Sequence, residues 1–157
     1  MRLGRFAFAL SFCAMAPAVI VASDSPTSLG ATITAAPRAI VGHVTSVQSH
    51  FGSNKFGDQL ILSRVNIVVD EVLKGDAVGG LQLEVEGGTV GDLTLDVSDM
   101  PKVKNGDRAV FLVSAGPNGT FEPFGRGRGI LHLDAGDRVK GRTMTLDEIR
   151  RLCAPKR

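Results

Sequence analysis

The feature that most restricts the fold is a long apolar alternation over residues 60–75. Apolar side chains recur there at even spacings, at Ile61, Val65, Ile67, Val69 and Leu73. Because successive side chains of a strand point to opposite faces, this spacing puts them all on one side of a strand. The stretch therefore predicts a long, half-buried β-strand that needs a sheet to cover one of its faces.

Six further stretches have the composition and alternation of strands. They are residues 39–47, 81–86, 92–97, 108–114, 120–124 and 129–134. Glycine-rich turns such as NGD, GPNG and GRGRG separate several of them, and HFGSNKFGDQ at 50–59 is expected to be a loop. The pattern predicts an all-β domain of about seven strands, either a small barrel or a sandwich, and the need to close sheet edges favours the barrel.

The two ends of the chain differ from this pattern. Thr145 followed three positions later by Glu148 is the signature of a capping box, so a short C-terminal helix is expected near residues 145–152. At the other end, basic residues within the first five positions precede an apolar run over 6–21 and the small residues Ala22 and Ser23. This is the layout of a secretory signal peptide cleaved after Ala22 or Ser23.

The alternative for the N-terminus is a membrane anchor, which would require about 20 apolar residues without a proline near the end of the run. Pro17 disfavours the anchor. The predicted organisation is a signal peptide at 1–23, a linker or short helix at 24–37, and a single β-barrel domain at 38–157. We therefore expect a periplasmic or secreted protein that has no membrane attachment once the leader is removed.

Cysteine and charge restrict the partners of the mature chain. Cys13 lies in the leader, so Cys153 remains alone and cannot form an intramolecular disulfide. Cys153 is either a small apolar residue on the C-terminal helix or an exposed thiol. The net charge of +2 comes from the arginines of the leader, and the neutral remainder argues against nucleic acid as a partner.

Charge is nevertheless unevenly distributed, because residues 58–107 are acidic and residues 138–157 are basic. Residues 81–86 and 92–97, joined by GGTVG, are expected to form a hairpin with an acidic outer face. In that hairpin Glu86 would face Asp92, Glu84 would face Thr94 and Gln82 would face Asp96, with the leucines and valines buried. The candidate binding residues on this face are Glu84, Glu86, Asp92 and Asp96.

Two interpretations of the acidic face are open. It is either a plain solvated surface or a surface whose negative charge is offset by a cation. The cation could come from a basic partner, from calcium, or from the basic tail of the chain, which contains Arg150, Arg151, Lys156 and Arg157.

The segment GRGRG at 125–129 adds Arg126 and Arg128 as candidate binding residues. Its backbone amides and guanidinium groups could hold a phosphate or carboxylate. No helix is expected after it, as a phosphate loop would require. A permissive turn is therefore favoured, with the arginines solubilising the surface or pairing with the acidic middle of the chain.

No residue pattern for a metal site or for catalysis is present. His43, His50 and His132 are scattered, Cys153 is alone, and no serine has a G-x-S-x-G context. We therefore predict no catalytic residue, no metal ligand and no cofactor.

Three segments carry a resemblance: AIVGHVTSV, VNIVVDEVLKG and GGTVGDLTLDVSDMPKVKNGDRAVFLV. In this order, over roughly 38–134, they resemble a family of small secreted bacterial β proteins. The G-x-V strand followed by V-x-E-V-x-K-G is also similar to the oligonucleotide-binding-like (OB-like) barrel of netrin-type modules, which include the tissue inhibitors of metalloproteinases. The resemblance implies a small OB-like or netrin-like barrel. Those inhibitors place an N-terminal cysteine on the protease zinc, and the mature chain has none there, so no site residue is carried over.

The sequence thus favours a non-enzymatic extracytoplasmic binding module, of a protease-inhibitor-like or accessory type, with a protein partner preferred over a small molecule. The alternatives are a periplasmic binder of a small ligand or calcium ion and a hydrolase.

Overall fold

The computed structural model describes residues 28–76 and 79–155. The predicted signal peptide, its cleavage site and the last two basic residues of the tail, Lys156 and Arg157, lie outside these ranges. The described chain is mostly β, with a six-stranded mixed sheet, a nearly closed ring of five strands and two short helices, one of them C-terminal. Among the described residues, no helix has the length and apolarity needed to cross a membrane.

Each predicted strand stretch contains a strand, and one short strand is added. The strands are β1 (Arg38–Ser53), β2 (Gln59–Lys74), β3 (Gly80–Glu86), β4 (Gly88–Val90), β5 (Leu93–Leu95), β6 (Arg108–Ala115), β7 (Phe121–Pro123) and β8 (Ile130–His132). The helices are α1 (Leu29–Ala35) and α2 (Leu146–Cys153), and 3₁₀ turns occupy Pro117–Gly119 and Arg126–Gly129.

The strand pairing closes most of a ring. The sheet order is β1-β2-β3-β7-β6-β8, and β1 also pairs with β6. The β1–β6 seam is antiparallel and matches residues 38–43 with 108–113. The β3–β7 seam is parallel and rests on a single register pair, Leu83 with Phe121.

The sheet is buried on both sides where β6 runs. Phe111 belongs to an apolar cluster that lies among the ring strands, whereas Val110 and Leu112 belong to a second cluster that includes residues of both helices. All three side chains are fully buried. This two-sided burial explains the continuous apolar run of β6, which shows no alternation.

The C-terminal helix forms as the local sequence predicts. Thr145 and Glu148 make both bonds of a capping box, and Leu146, Ile149 and Cys153 are buried. Cys153 was expected to be either a small apolar residue on this helix or an exposed thiol. It is the buried apolar residue. Burial raises the pKa of its thiol.

The first hairpin is longer than expected. Residues 50–53, predicted to lie in a loop, form the end of β1. Phe51 lies opposite Ile61, and Ser53 lies opposite Gln59. Although glycines give this stretch the composition of a turn, β2 provides a backbone partner along its whole length.

The predicted acidic hairpin is wrong. β3 pairs with β2, so that Glu86 lies opposite Leu62 and Glu84 opposite Arg64, and Gln82 likewise faces Asn66. Thr94 pairs with Thr89 in a separate two-stranded sheet of β4 and β5.

The physical reason for this pairing lies in β2 and in two glycines. β2 offers β3 a long edge on which Leu83 meets the buried Val65. Gly87 and Gly88 have φ values of +104° and +136°, which turn the chain away from the direction of β3. Leu93, expected to be buried, is consequently 61% exposed.

Candidate binding site

A cavity of about 260 Å³ opens at one end of the ring. Residues of β1, β2 and β3 form one side of it, and β4, β5 and the segment 96–104 form the other. Its apolar lining consists of Val47, Val65, Val85, Leu95, Val97, Met100 and Val103. Mouths of β-barrels are places where small-molecule sites are found, and an apolar lining with a few placed polar groups is typical of them.

Hydroxyl groups attach β4 to the first hairpin beside this cavity. The Oγ atoms of Ser49 and Ser63 are 3.0 Å apart, and Ser63 Oγ donates to the carbonyl of Gly87 at 2.6 Å. The amide of Thr89 donates to Ser49 Oγ at 3.2 Å. A Cβ at Gly88 would lie 2.3 Å from Ser49 Oγ, so only glycine allows β4 to come this close. The small β4–β5 sheet is thereby held over the cavity.

A narrower cleft of about 70 Å³ adjoins the cavity and shares Glu86 and Met100 with it. The cleft lies between the turn that joins β1 and β2 and the turn that joins β6 and β7. Asn54 and Lys55 come from the first turn and Pro117 from the second, and Glu84 also lines the cleft. Lys55 reaches across to Glu122, with 3.4 Å between Nζ and Oε2.

Arg126 is bonded to two carboxylates at the edge of this cleft. Its Nη2 donates to Glu86 Oε2 at 2.9 Å and to Asp99 Oδ1 at 3.1 Å, and its Nε donates to Asp99 Oδ2. The hydrogen bonds to Asp99 and then to Glu86 raise the pKa of Arg126, and the same guanidinium lowers the pKa of Asp99. The other oxygen of Glu86 accepts from Asn54 Nδ2 at 3.3 Å. Arg126 therefore connects β3, the segment around residue 99 and the 3₁₀ turn, and Glu86 extends the connection to the first hairpin turn.

The GRGRG segment is the turn that its glycines suggest. Gly125 has a left-handed φ of +72°. A Cβ at Gly127 would lie 1.8 Å from the carbonyl oxygen of Asp99, which means that the turn packs directly on that backbone. The strand β8 follows instead of a helix, as expected.

The six predicted binding residues are dispersed. Glu84, Glu86 and Arg126 line the same cleft. Asp96 lines the neighbouring cavity, where its carboxylate is 2.8 Å from Lys102 Nζ.

The other two predicted residues lie elsewhere. Asp92 is exposed in the turn between β4 and β5, and Arg128 lines a separate groove. Of the basic tail, Arg150 bonds Glu71 at 2.7 Å and Asp147 rather than any of the acidic candidates.

The hydroxyls of Ser49 and Ser63 were not predicted. A signal for Ser63 existed, because it interrupts the apolar face of β2 between Ile61 and Val65. A hydroxyl on a buried strand face must find a hydrogen-bond partner.

Two of the three histidines lie beside an aspartate in the described ranges. Within residues 28–76 and 79–155, no group of three or more His, Cys, Asp or Glu side chains is arranged to hold a metal ion. His43 Nδ1 lies 2.9 Å from Asp70 Oδ1 at the surface. Burial lowers the pKa of His132 despite Asp107 at 3.7 Å.

A scan against protein-family models finds no match to this chain, and a search of curated proteins finds none that is significantly similar.

Proposed function

We propose that this chain is a non-enzymatic binding module, periplasmic or secreted, that recognises another protein as an accessory or inhibitor-like partner. The observation that carries the proposal is the far end of the β1–β2 hairpin, where two phenylalanines face solvent. Phe51 is 60% exposed and Phe56 is 73% exposed. Exposed aromatic side chains at one end of a hairpin are typical of interaction surfaces.

The hairpin end lies beyond most of the strand pairing of the ring. β1 pairs with β6 only over residues 38–43, and β3 pairs with β2 from Leu62 onward. At the pair Phe51–Ile61 the neighbouring chain ends with one bond, from the amide of Gly87 to the carbonyl of Ile61 at 2.8 Å. The pair Ser53–Gln59 has no third strand paired with it in the described chain. Aromatic side chains on such an extension provide contact area that a partner can enclose in a pocket.

The fold proposal is an OB-like barrel of the netrin type. It is supported by the ring order β1-β2-β3-β7-β6, with β6 paired back to β1. OB-folds bind ligands through the face of their second and third strands and through the loops that follow the first and fourth. The cleft around Glu84 lies at the equivalent place, between the β1–β2 turn and the β6–β7 turn.

The charge of the cleft at the same hairpin turn indicates the character of the partner. Glu84, Glu86 and Glu122 line the cleft together with Lys55 and Arg126. Arg126 is also bonded to Asp99, so the cleft is acidic on balance. A partner with an apolar pocket flanked by basic side chains would fit it.

The test is to replace both phenylalanines, Phe51→Ser with Phe56→Ser, and to compare capture of proteins from the native envelope fraction. Val68→Thr is the matched control, since Val68 is an exposed apolar residue on β2 away from the hairpin end. The double variant should keep its fold and lose the specific partner, whereas the control should retain it. Identical sets of proteins captured by wild type and double variant would contradict the proposal.

A second candidate function, binding of a small amphipathic molecule, is favoured by the 260 Å³ cavity and its apolar lining. Val97→Phe would fill the cavity from its half-buried wall. Leu93→Phe is the control, because Leu93 is nearby but does not line the cavity. A ligand found by thermal shift should lose its effect in Val97→Phe only. If both variants keep the shift, the ligand binds elsewhere.

A further inference from the structure

A third concave surface is rich in positive charge, and it shares Lys102 and Lys104 with the 260 Å³ cavity. It is an open groove of about 600 Å³ next to β8. Five cationic side chains line it: Lys102, Lys104, Arg128, Lys140 and Arg142. They come from three separate segments of the chain, which the fold brings to one place. We call this surface the basic groove.

Two carboxylates also line the basic groove, and both have other partners. Asp99 accepts hydrogen bonds from Arg126. Asp107 Oδ2 accepts from the amide of Lys104 at 2.8 Å and lies near His132. Asp99 is offset by Arg126, and Asp107 alone cannot balance five cations, so the groove keeps a surplus of positive charge.

The ion pair of Lys102 with Asp96 does not cancel this surplus. Its side chains are 74% and 64% exposed, so solvent screens the pair and an incoming anion can replace the aspartate at little cost. Because the mature chain is neutral as a whole, the positive potential is a local property of this groove. Concave surfaces of one charge sign concentrate the field and attract ions of the opposite sign.

The size and floor of the basic groove decide what kind of anion fits. A single inorganic anion would contact only one or two of the cations. The groove distributes them around a volume of about 600 Å³, whereas a water molecule occupies about 30 Å³. Ile130, Leu131 and Val139 provide apolar surface between the charges. An extended ligand with repeated negative groups on a ring-containing backbone matches this arrangement.

We propose that the basic groove binds an acidic oligosaccharide through its sulfate or carboxylate groups. Clusters of Lys and Arg are the usual recognition surface for such polymers and for nucleic acid. Binding of single-stranded nucleic acid depends on aromatic side chains that stack on bases. The chain contains no Trp or Tyr, and no Phe is among the residues that line the groove. The choice of a glycan also rests on the proposed location outside the cytoplasm.

The experiment is calorimetric titration of the mature protein with a sulfated tetrasaccharide, with an oligogalacturonate and with a single-stranded oligonucleotide of equal charge, at several salt concentrations. Lys140→Gln with Arg142→Gln removes two groove cations. Arg64→Gln with Arg151→Gln is the matched control, because it removes the same charge from exposed positions outside the groove.

At least one of the two glycans should bind, and the sulfated and carboxylated probes show which anionic group is preferred. The groove variant should bind about tenfold more weakly at low salt, and its slope of log K against log salt should fall by about 2, at roughly one unit per lost contact. The control should keep the wild-type slope. If the groove variant is not folded, Lys104→Gln with Lys140→Gln tests the same expectation.

Three results would overturn the proposal. The first is no glycan binding at low salt, and the second is equal weakening in both double variants. The third is that the oligonucleotide binds more tightly than the glycans and that the groove variant loses this binding. The Phe51→Ser, Phe56→Ser variant separates this proposal from the protein-binding function. It should bind the glycan as wild type does, whether or not it captures a protein.

Discussion

Single residues determine how the 3₁₀ turn at Arg126–Gly129 packs against the rest of the fold. Gly127 allows the turn to contact the backbone of Asp99, and Arg126 then reaches both Asp99 and Glu86. The guanidinium is about half exposed, so its ion pairs contribute little free energy by themselves. The close backbone approach at Gly127 is therefore the more sensitive feature.

Gly127→Ala should lower the free energy of unfolding by about 1–3 kcal/mol, because the new Cβ overlaps backbone that must move. Urea denaturation measures this change. Gly79→Ala is the control, because a Cβ at Gly79 meets nothing within 4 Å. Equal stability of the two variants would show that the turn does not pack on Asp99 as described.

The same substitution, Gly127→Ala, should also change the pKa of Asp99. Arg126 lowers the pKa of Asp99 below its ordinary 3.8, so the pair stabilises the fold above that pH and loses its effect as the pH falls through the lowered pKa. When Gly127→Ala displaces Arg126, the pKa of Asp99 should rise toward 3.8. A carboxyl titration followed by NMR measures the pKa in both proteins.

At the scale of elements, the sequence predicts a helix or strand pairing correctly where the contacts that determine it are local. The capping box of α2 joins Thr145 to Glu148, three residues away, and was predicted correctly. The pairing of β3 was not, because GGTVG has the composition of a turn while the competing edge of β2 is distant in sequence. The register of Glu84 against Arg64 is set by that edge. The bonds of Arg126 likewise join residues 27 and 40 positions apart, which no local pattern reveals.

Thr145→Ala should destabilise the protein by about 1 kcal/mol, since the helix loses its side-chain cap. Thr143→Ala is the matched control, an exposed threonine that does not cap the helix. Thermal unfolding of both variants gives the comparison. A Thr145→Ala protein as stable as the control would mean that packing of Leu146 and Ile149 alone holds α2 in place.

At the scale of the whole molecule, the alternating stretches predicted a β fold with a tendency to close, and the ring of five strands agrees with that coarse expectation. The composition does not reveal how firmly each seam is closed. The β1–β6 seam runs along residues 38–43, whereas β3 and β7 meet at one register pair. β7 has only three residues, and all of them are partly exposed. The ring therefore has one strong seam and one weak seam.

Hydrogen exchange should show that the ring opens at the weak seam first. Local opening that breaks few buried contacts costs less free energy than global unfolding, so β7 amides should exchange well before those at the β1–β6 seam. β8 is the internal comparison, since it also has three residues and pairs with β6, but Ile130 and Leu131 are buried. We expect β8 to be protected more strongly than β7. If β7, β8 and the β1–β6 seam exchange at one common rate, the ring opens as a single cooperative unit and the weak seam has no separate motion.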